Sequence, residues 1–269
     1  MVRNRPARPA TIMDEATPPP EPASTAPAGS SLVSRLFNVL AAPGEVFDEV
    51  RSSPPRTANW LVPALVLMVV GLAGLWLCFS QDSIQQQLSE FLDKTLAKNP
   101  AMGQMNEQAR AMTEKFSGIV MKVSMSSEPV VTGFVMPFCW GLIIWVLGAK
   151  VFKGNFGFMK AVEVAGLTNV LAILEAVVKT LLAIALGNIW AGPHLGLMVK
   201  DFDPANPAHI VLAAINLISF WSVAVRAVGL AKLSGVSFAK AAAWLFGLWL
   251  VFSGGMIGFS LAMQHLGGR

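Results

Sequence analysis

Glu175 and Lys179 are the ionisable pair whose position most needs a physical account. They interrupt the otherwise apolar run 161–186, and charge inside a run of that kind is costly in a membrane interior. Four residues apart, they share one helix face and can neutralise each other as an i, i+4 ion pair. Two readings follow: an ion or proton path, or a self-satisfied pair that faces a neighbouring helix or reaches out to the surface. Asn169 and Asn216 come next. Counted in from Lys160 and from Arg226 at 1.5 Å per residue, both lie about 14 to 15 Å deep. Equal depth predicts a hydrogen bond between the third and fourth apolar segments, worth about 1 kcal/mol. Glu163 and Arg226 fall near the inner ends of helices in adjacent repeats and could pair, as a structural contact first.

Other reactive groups give no constellation. His194, His209 and His265 lie in or beside polar segments with Asp201 and Asp203, but no two histidines have a spacing suited to zinc, so no metal site is expected. Cys78 and Cys139 sit in apolar runs without CxxC or Cys/His spacing and read as small buried hydrophobes. GxxxxGK[ST], HExxH and GxSxG are all missing. The expectation is a protein without cofactor that is not an enzyme.

The elements that must position these groups are apolar helices. Of 269 residues 54% are hydrophobic and 13% charged, with a mean hydropathy of +0.57; a soluble domain carries about 25% charged residues. About 20 helical residues cross a 30 Å hydrocarbon core, and the chain offers five such stretches, at about 57–81, 129–149, 161–186, 207–225 and 241–263. The fold class is all-α: a polytopic membrane bundle of five transmembrane helices spanning 57–263. Residues 1–30 hold seven of the 17 prolines and read as a disordered tail. The basic start runs into proline and not into an apolar h-region, so insertion is expected through the first long apolar segment.

Residues 31–56 read as interfacial amphipathic helices. Leu32, Leu36, Phe37, Val39 and Leu40 form one apolar stripe. Pro43 is placed to open a second helix carrying Val46, Phe47 and Val50, with Arg35, Arg51 and Arg56 toward lipid headgroups. Leu36, Phe37, Pro43 and Phe47 mark the candidate interaction segment. The polar stretch 82–128 has helical periodicity on either side of Asn99-Pro100. Ile84, Leu88, Phe91, Leu92 and Leu96 share one face, and Met102, Met105, Ala109, Met112, Phe116 and Val120 share another, predicting an amphipathic helical hairpin outside the bilayer. Its methionine stripe is expected to be a packing face.

The basic residues set the orientation. Loops 150–160 and 226–240 hold three Lys or Arg each, whereas loop 188–206 holds Lys200 alone. The positive-inside rule then puts the N-terminus in the cytoplasm and the C-terminus outside. The same scatter of basic residues among loops gives no nucleic-acid groove. An internal repeat is also visible: Trp140, Gly148 and Gly154 recur as Trp221, Gly229 and Gly235 at an offset of 81, grouping spans two and three against four and five. Small residues four apart, at Ala161/Ala165, Ala183/Gly187, Ala227/Ala231 and Gly254/Gly258, favour close helix packing or a dimer face.

The run SLVSRLFNVLAAPGEVFDEV before the first span, the five spans, and the Asn216, Trp221, Gly229, Lys232, Ser237 pattern resemble the Yip family, the Ypt/Rab-interacting membrane proteins, and specifically its bacterial branch, over about residues 32–260. The resemblance implies a five-span helical protein with a cytoplasmic N-terminus. In eukaryotic members it also implies interaction with small GTPases and a part in membrane traffic or curvature. The acidic DLYGP-like motif of those members is absent here, and APGEVF stands in its place. The expected function is that of an integral protein of the bacterial inner membrane that acts through a protein partner or by organising the lipid bilayer, with homo-oligomerisation left open. The alternative is a small transporter or channel lined by Glu175, Lys179, Asn169 and Asn216.

Overall fold

The computed structural model describes residues 30–204 and 206–267. Residues 1–29, read above as the body of a disordered tail, lie outside them. Two short helices come first, α1 (Leu32–Ala41) and α2 (Pro43–Ser52). The Ser31 hydroxyl accepts from the Ser34 N–H at 3.2 Å and starts α1. Pro43 occupies the first turn of α2, where its missing N–H would have had no partner.

Among the described residues five helical segments are long and apolar enough to cross a membrane, and the fold is an all-helical polytopic bundle. The first is α3 (Ala58–Phe79). After it, α4 (Asp82–Ala97) turns back on α5 (Glu107–Val130). No break separates α5 from the second span. A π-bulge at Val131–Val135 carries it into α6 (Met136–Trp145), and a second at Val146–Val151 ends the helix. Glu107–Val151 is therefore one rod of 45 residues, about 67 Å long at 1.5 Å per residue. Pro129 cannot donate to the helical ladder, and the wider turn that follows absorbs the mismatch.

The third span, α7 (Phe158–Leu186), is the central helix. Every residue from Lys160 to Asn169 is buried, because α1, α2, α3, α6 and α9 all pack around it. Two glycines permit the closest approaches. A Cβ on Gly133 would stand 2.9 Å from the Ala64 carbonyl, and one on Gly166 would strike the Trp60 backbone. Of the small-residue pairs, Ala161/Ala165 and Ala227/Ala231 are buried at contacts, whereas a Cβ on Gly254 or Gly258 would meet nothing.

The fourth span differs from the expected 207–225. A short α8 (Pro207–Ala214) stops at Ile215, and the spanning helix is α9 (Leu217–Ser234), followed by α10 (Phe238–Gly267). Asn216 causes the break. Its Oδ1 accepts from the N–H groups of Ile218 (2.9 Å) and Ser219 (3.2 Å), the geometry of an N-cap. The backbone on either side pairs with the loop after α7, Leu195 N–H to Ile215 O and Leu217 N–H to Pro193 O, both at 3.1 Å. Gly235, left-handed at φ 69°, closes the other end.

Two more expectations change. The N-terminal helices do not lie free on a surface: Val39, Phe47 and Val50 belong to the main core with Val164, Leu167 and Leu230. Arg35 is 1% exposed and points into the bundle, not toward headgroups, whereas Arg51 and Arg56 are exposed. In the hairpin, Ile84 and Leu88 of α4 are buried as their stripe predicts, but α5 answers with Gly118, Met121 and Met125. Met112 and Phe116, expected to pack, are 69% and 68% exposed.

Candidate functional site

Beneath α1 and α2 the bundle holds a buried chain of charges. Arg35 of α1 donates to Glu49 Oε1 of α2 at 2.5 Å and to Asn59 Oδ1 of α3 at 3.2 Å. Asn59 in turn donates through Nδ2 to Glu163 Oε2 of α7 at 2.5 Å. The Lys160 ammonium, one turn before Glu163, donates to the Val50 carbonyl at 2.5 Å and stands 3.6 Å from Glu163 Oε1. Two cations and two carboxylates balance, and Asn59, 1% exposed, links them by offering its amide oxygen to the cation and its NH2 to the anion. Removing one partner from such a set strands a desolvated charge, at a cost of about 3 to 5 kcal/mol.

Around this chain the N-terminal pair is seated by shape. The fully buried Phe47 ring fits against Gly229 of α9, where an added Cβ would stand 3.3 Å from the ring. At the rim the Lys232 ammonium donates to Asp48 Oδ2 at 2.5 Å. Of the candidate interaction residues, Leu36 and Pro43 are half-buried and Phe37 is 68% exposed. Phe47 is corrected from a contact residue to a core residue, because α2 turns its apolar face inward. The outward face of α1 is carried by Phe37 and Val33, one turn apart and 64% exposed at Val33.

The other candidate polar groups do not pair as expected. Glu175 and Lys179 turn to different helices: Glu175 Oε1 accepts from Asn216 Nδ2 at 2.6 Å, and Lys179 lies 3.8 Å from Glu128 of α5. Asn169 donates to the Gly133 carbonyl at 3.3 Å, so it does not meet Asn216. The shift of the fourth span explains this: Asn216 caps the end of α9 level with Glu175, instead of lying mid-helix. Glu163 and Arg226 do not pair either. Arg226 lies about 12 to 14 Å from each end of α9 at 1.5 Å per residue, donates to Ser222 Oγ at 2.6 Å and stacks 4.5 Å from the Trp140 ring centroid.

Glu128, Glu175, Lys179 and Thr180 line a cavity of about 150 Å3 together with apolar groups such as Leu67 and Cys78. Glu163 and Glu175 are about 18 Å apart along α7, with the fully buried Leu167 and Leu171 between them. Among the described residues no group of three His, Cys, Asp or Glu side chains gathers in ligand geometry. Near the cavity, half-buried His194 holds an Nδ1 without a hydrogen-bond partner. Burial, and secondarily the charge of Lys179, keep its imidazole below the usual histidine range, against a hydrogen bond to the Trp190 backbone that acts the other way.

Sequence reasoning missed Arg35, Glu49, Asn59 and Lys160 as one unit. Some signal was available: Arg35 falls on the same stripe as Leu32 and Val39, Lys160 and Glu163 have i, i+3 spacing, and Asn59 is a polar residue in the first turn of a span.

Five membrane-length apolar helices with the polar-faced α7 at their centre, and an N-terminal helical pair docked across one end, define a multi-pass membrane protein. The Yip1 domain family model matches residues 37–259, and the chain belongs to that family. It is similar to "Membrane protein YknW" of Bacillus subtilis (strain 168), 26% identical over 228 residues, covering 81% of this chain and 87% of the relative. No solved structure matches.

Proposed function

We propose that this is a non-enzymatic protein of the bacterial inner membrane whose working surface is the outward face of α1, used to bind a protein partner or to shape the adjoining lipid. The observation that carries the reading is the docking of α1 and α2. A buried charge chain, a ring against a glycine and a rim ion pair hold them on the bundle, while Val33 and Phe37 remain exposed. Such a platform presents apolar side chains at a fixed place relative to the membrane. In this reading the N-terminus is cytoplasmic and the C-terminus outside, in keeping with the excess of Lys and Arg in loops 150–160 and 226–240.

The test replaces Val33 and Phe37 together by Asp in the full chain. Both are exposed, so the fold is expected to survive, while partner cross-linking in native membranes or deformation of reconstituted vesicles is lost. Retention of both effects with the double substitution would sink the proposal.

A second reading, a small transporter, draws on the cavity beside Glu175 and Lys179. Against it stands the apolar stretch of α7 between that cavity and Glu163. Neutralising the two residues, Glu175→Gln with Lys179→Gln, tests it. Solute flux in proteoliposomes that the wild type supports and the folded variant loses would favour transport over the platform.

A further inference from the structure

The α5 rod leaves one apolar face largely uncovered. Ala109, Met112, Phe116, Ile119 and Val123 follow one another at alternating intervals of three and four residues, the a and d spacing of a coiled-coil seam. Met112, Phe116, Ile119 and Val123 are between 53% and 69% exposed. The helix meets α4 chiefly with a different face, through Gly118, Met121 and Met125; of the seam Phe116 alone borders the crevice shared with Phe91 and Leu92 of α4, and Met112, Ile119 and Val123 stand clear of it. Nor is the seam a lipid-facing strip. The uncharged span begins at Pro129, and at 1.5 Å per residue the seam lies about 9 to 30 Å beyond it, past the hydrocarbon.

We propose that this seam pairs with the same seam of a second copy, forming a parallel two-stranded coiled coil outside the bilayer. Two copies inserted in the same sense can only bring their α5 rods together parallel, about an axis along the membrane normal. The charges suit that arrangement. With Phe116 at an a position, Lys115 and Lys122 take the g positions and Thr113, Val120 and Ser127 the e positions. A parallel pair sets g against e of the other chain, so each lysine faces Val120 or Ser127. An antiparallel pair would set lysine against lysine. The helix is continuous with a membrane span, so the costly first turn of an isolated coiled coil is already formed, and confinement to one membrane raises the effective concentration of the partner.

In-register a and d residues of a parallel pair meet their own counterparts, which makes the test positional. In full-length protein with Cys78→Ser and Cys139→Ser, Ile119→Cys is oxidised in native membranes beside Ala111→Cys, an exposed position off the seam. Disulfide-linked dimer is expected at 119, at least about tenfold above that at 111, since the bond needs Cβ atoms about 4 Å apart. In detergent, Phe116→Asp with Ile119→Asp should raise the dimer dissociation constant at least about thirtyfold with an unchanged melting temperature. Equal cross-linking at both positions overturns the proposal, as does a double variant that still dimerises. Absence of dimer at 119 combined with protection of Ile119→Cys from a water-soluble maleimide would also overturn it, showing that the seam is covered by lipid or by another protein.

Discussion

At the residue scale, Asn59 holds more of the molecule together than its size suggests. Its amide serves Arg35 and Glu163 at once, so Asn59→Ala leaves a guanidinium and a carboxylate each short of a buried partner. The expected loss is about 3 kcal/mol, read as a lower melting temperature in detergent, with Asn59→Gln recovering little because the longer side chain shifts both contacts. The Lys232 to Asp48 ion pair is equally short but 39% and 51% exposed. Solvent screens it, and Asp48→Asn should cost less than about 1 kcal/mol. Bond length alone does not rank these contacts. Neither pairing was legible in the sequence, since residues 24, 104 and 184 positions apart meet only through the packing of α1, α2, α3, α7 and α9.

At the element scale, the fourth span shows where composition misleads. Pro207–Val225 is apolar enough to read as one span, yet Asn216 offers a better cap than a mid-helix residue, and the helix restarts there. The consequence travels across the bundle: moving the helix start by ten residues puts Asn216 beside Glu175 and leaves Arg226 at mid-span. Asn216→Ala removes the cap and the donor to Glu175 together. Its cost should exceed the roughly 1 kcal/mol of a cap alone, and hydrogen exchange at 215–219 is expected to speed up. The paired loop carries a pH signature through His194. Its pKa is lower folded than unfolded, so stability is complete above the unfolded value of about 6.5 and is lost as pH falls from there through the folded value. Protection factors across 190–197, taken relative to the intrinsic exchange rate at each pH, should fall on acidification over that range and not in His194→Gln.

At the scale of the whole molecule, much was legible. Four of the five spans fall close to the expected ranges because a 30 Å hydrocarbon core imposes length and polarity directly on sequence. The hairpin and the two N-terminal helices also show in their periodicity. What periodicity does not reveal is which neighbour covers each stripe: α1 and α2 turn theirs onto the bundle, and α5 keeps part of its own exposed. Because α2 supplies the Val50 carbonyl to Lys160, α1 holds Arg35 against Asn59, and the pair covers Gly229, removing 32–56 should destabilise the remaining spans instead of trimming an appendage. A fall in the melting temperature of that truncation, larger than that of the Val33→Asp, Phe37→Asp variant, is the expected outcome. The same docking has a consequence in time. The N-terminal helices leave the ribosome first, yet Lys232, the partner of Asp48, follows 184 residues later, a wait of roughly ten to forty seconds at bacterial rates of synthesis. Val39 and Phe47 wait about as long for Leu230 of the same core, so helices made before every span complete their docking only once the fourth span has emerged.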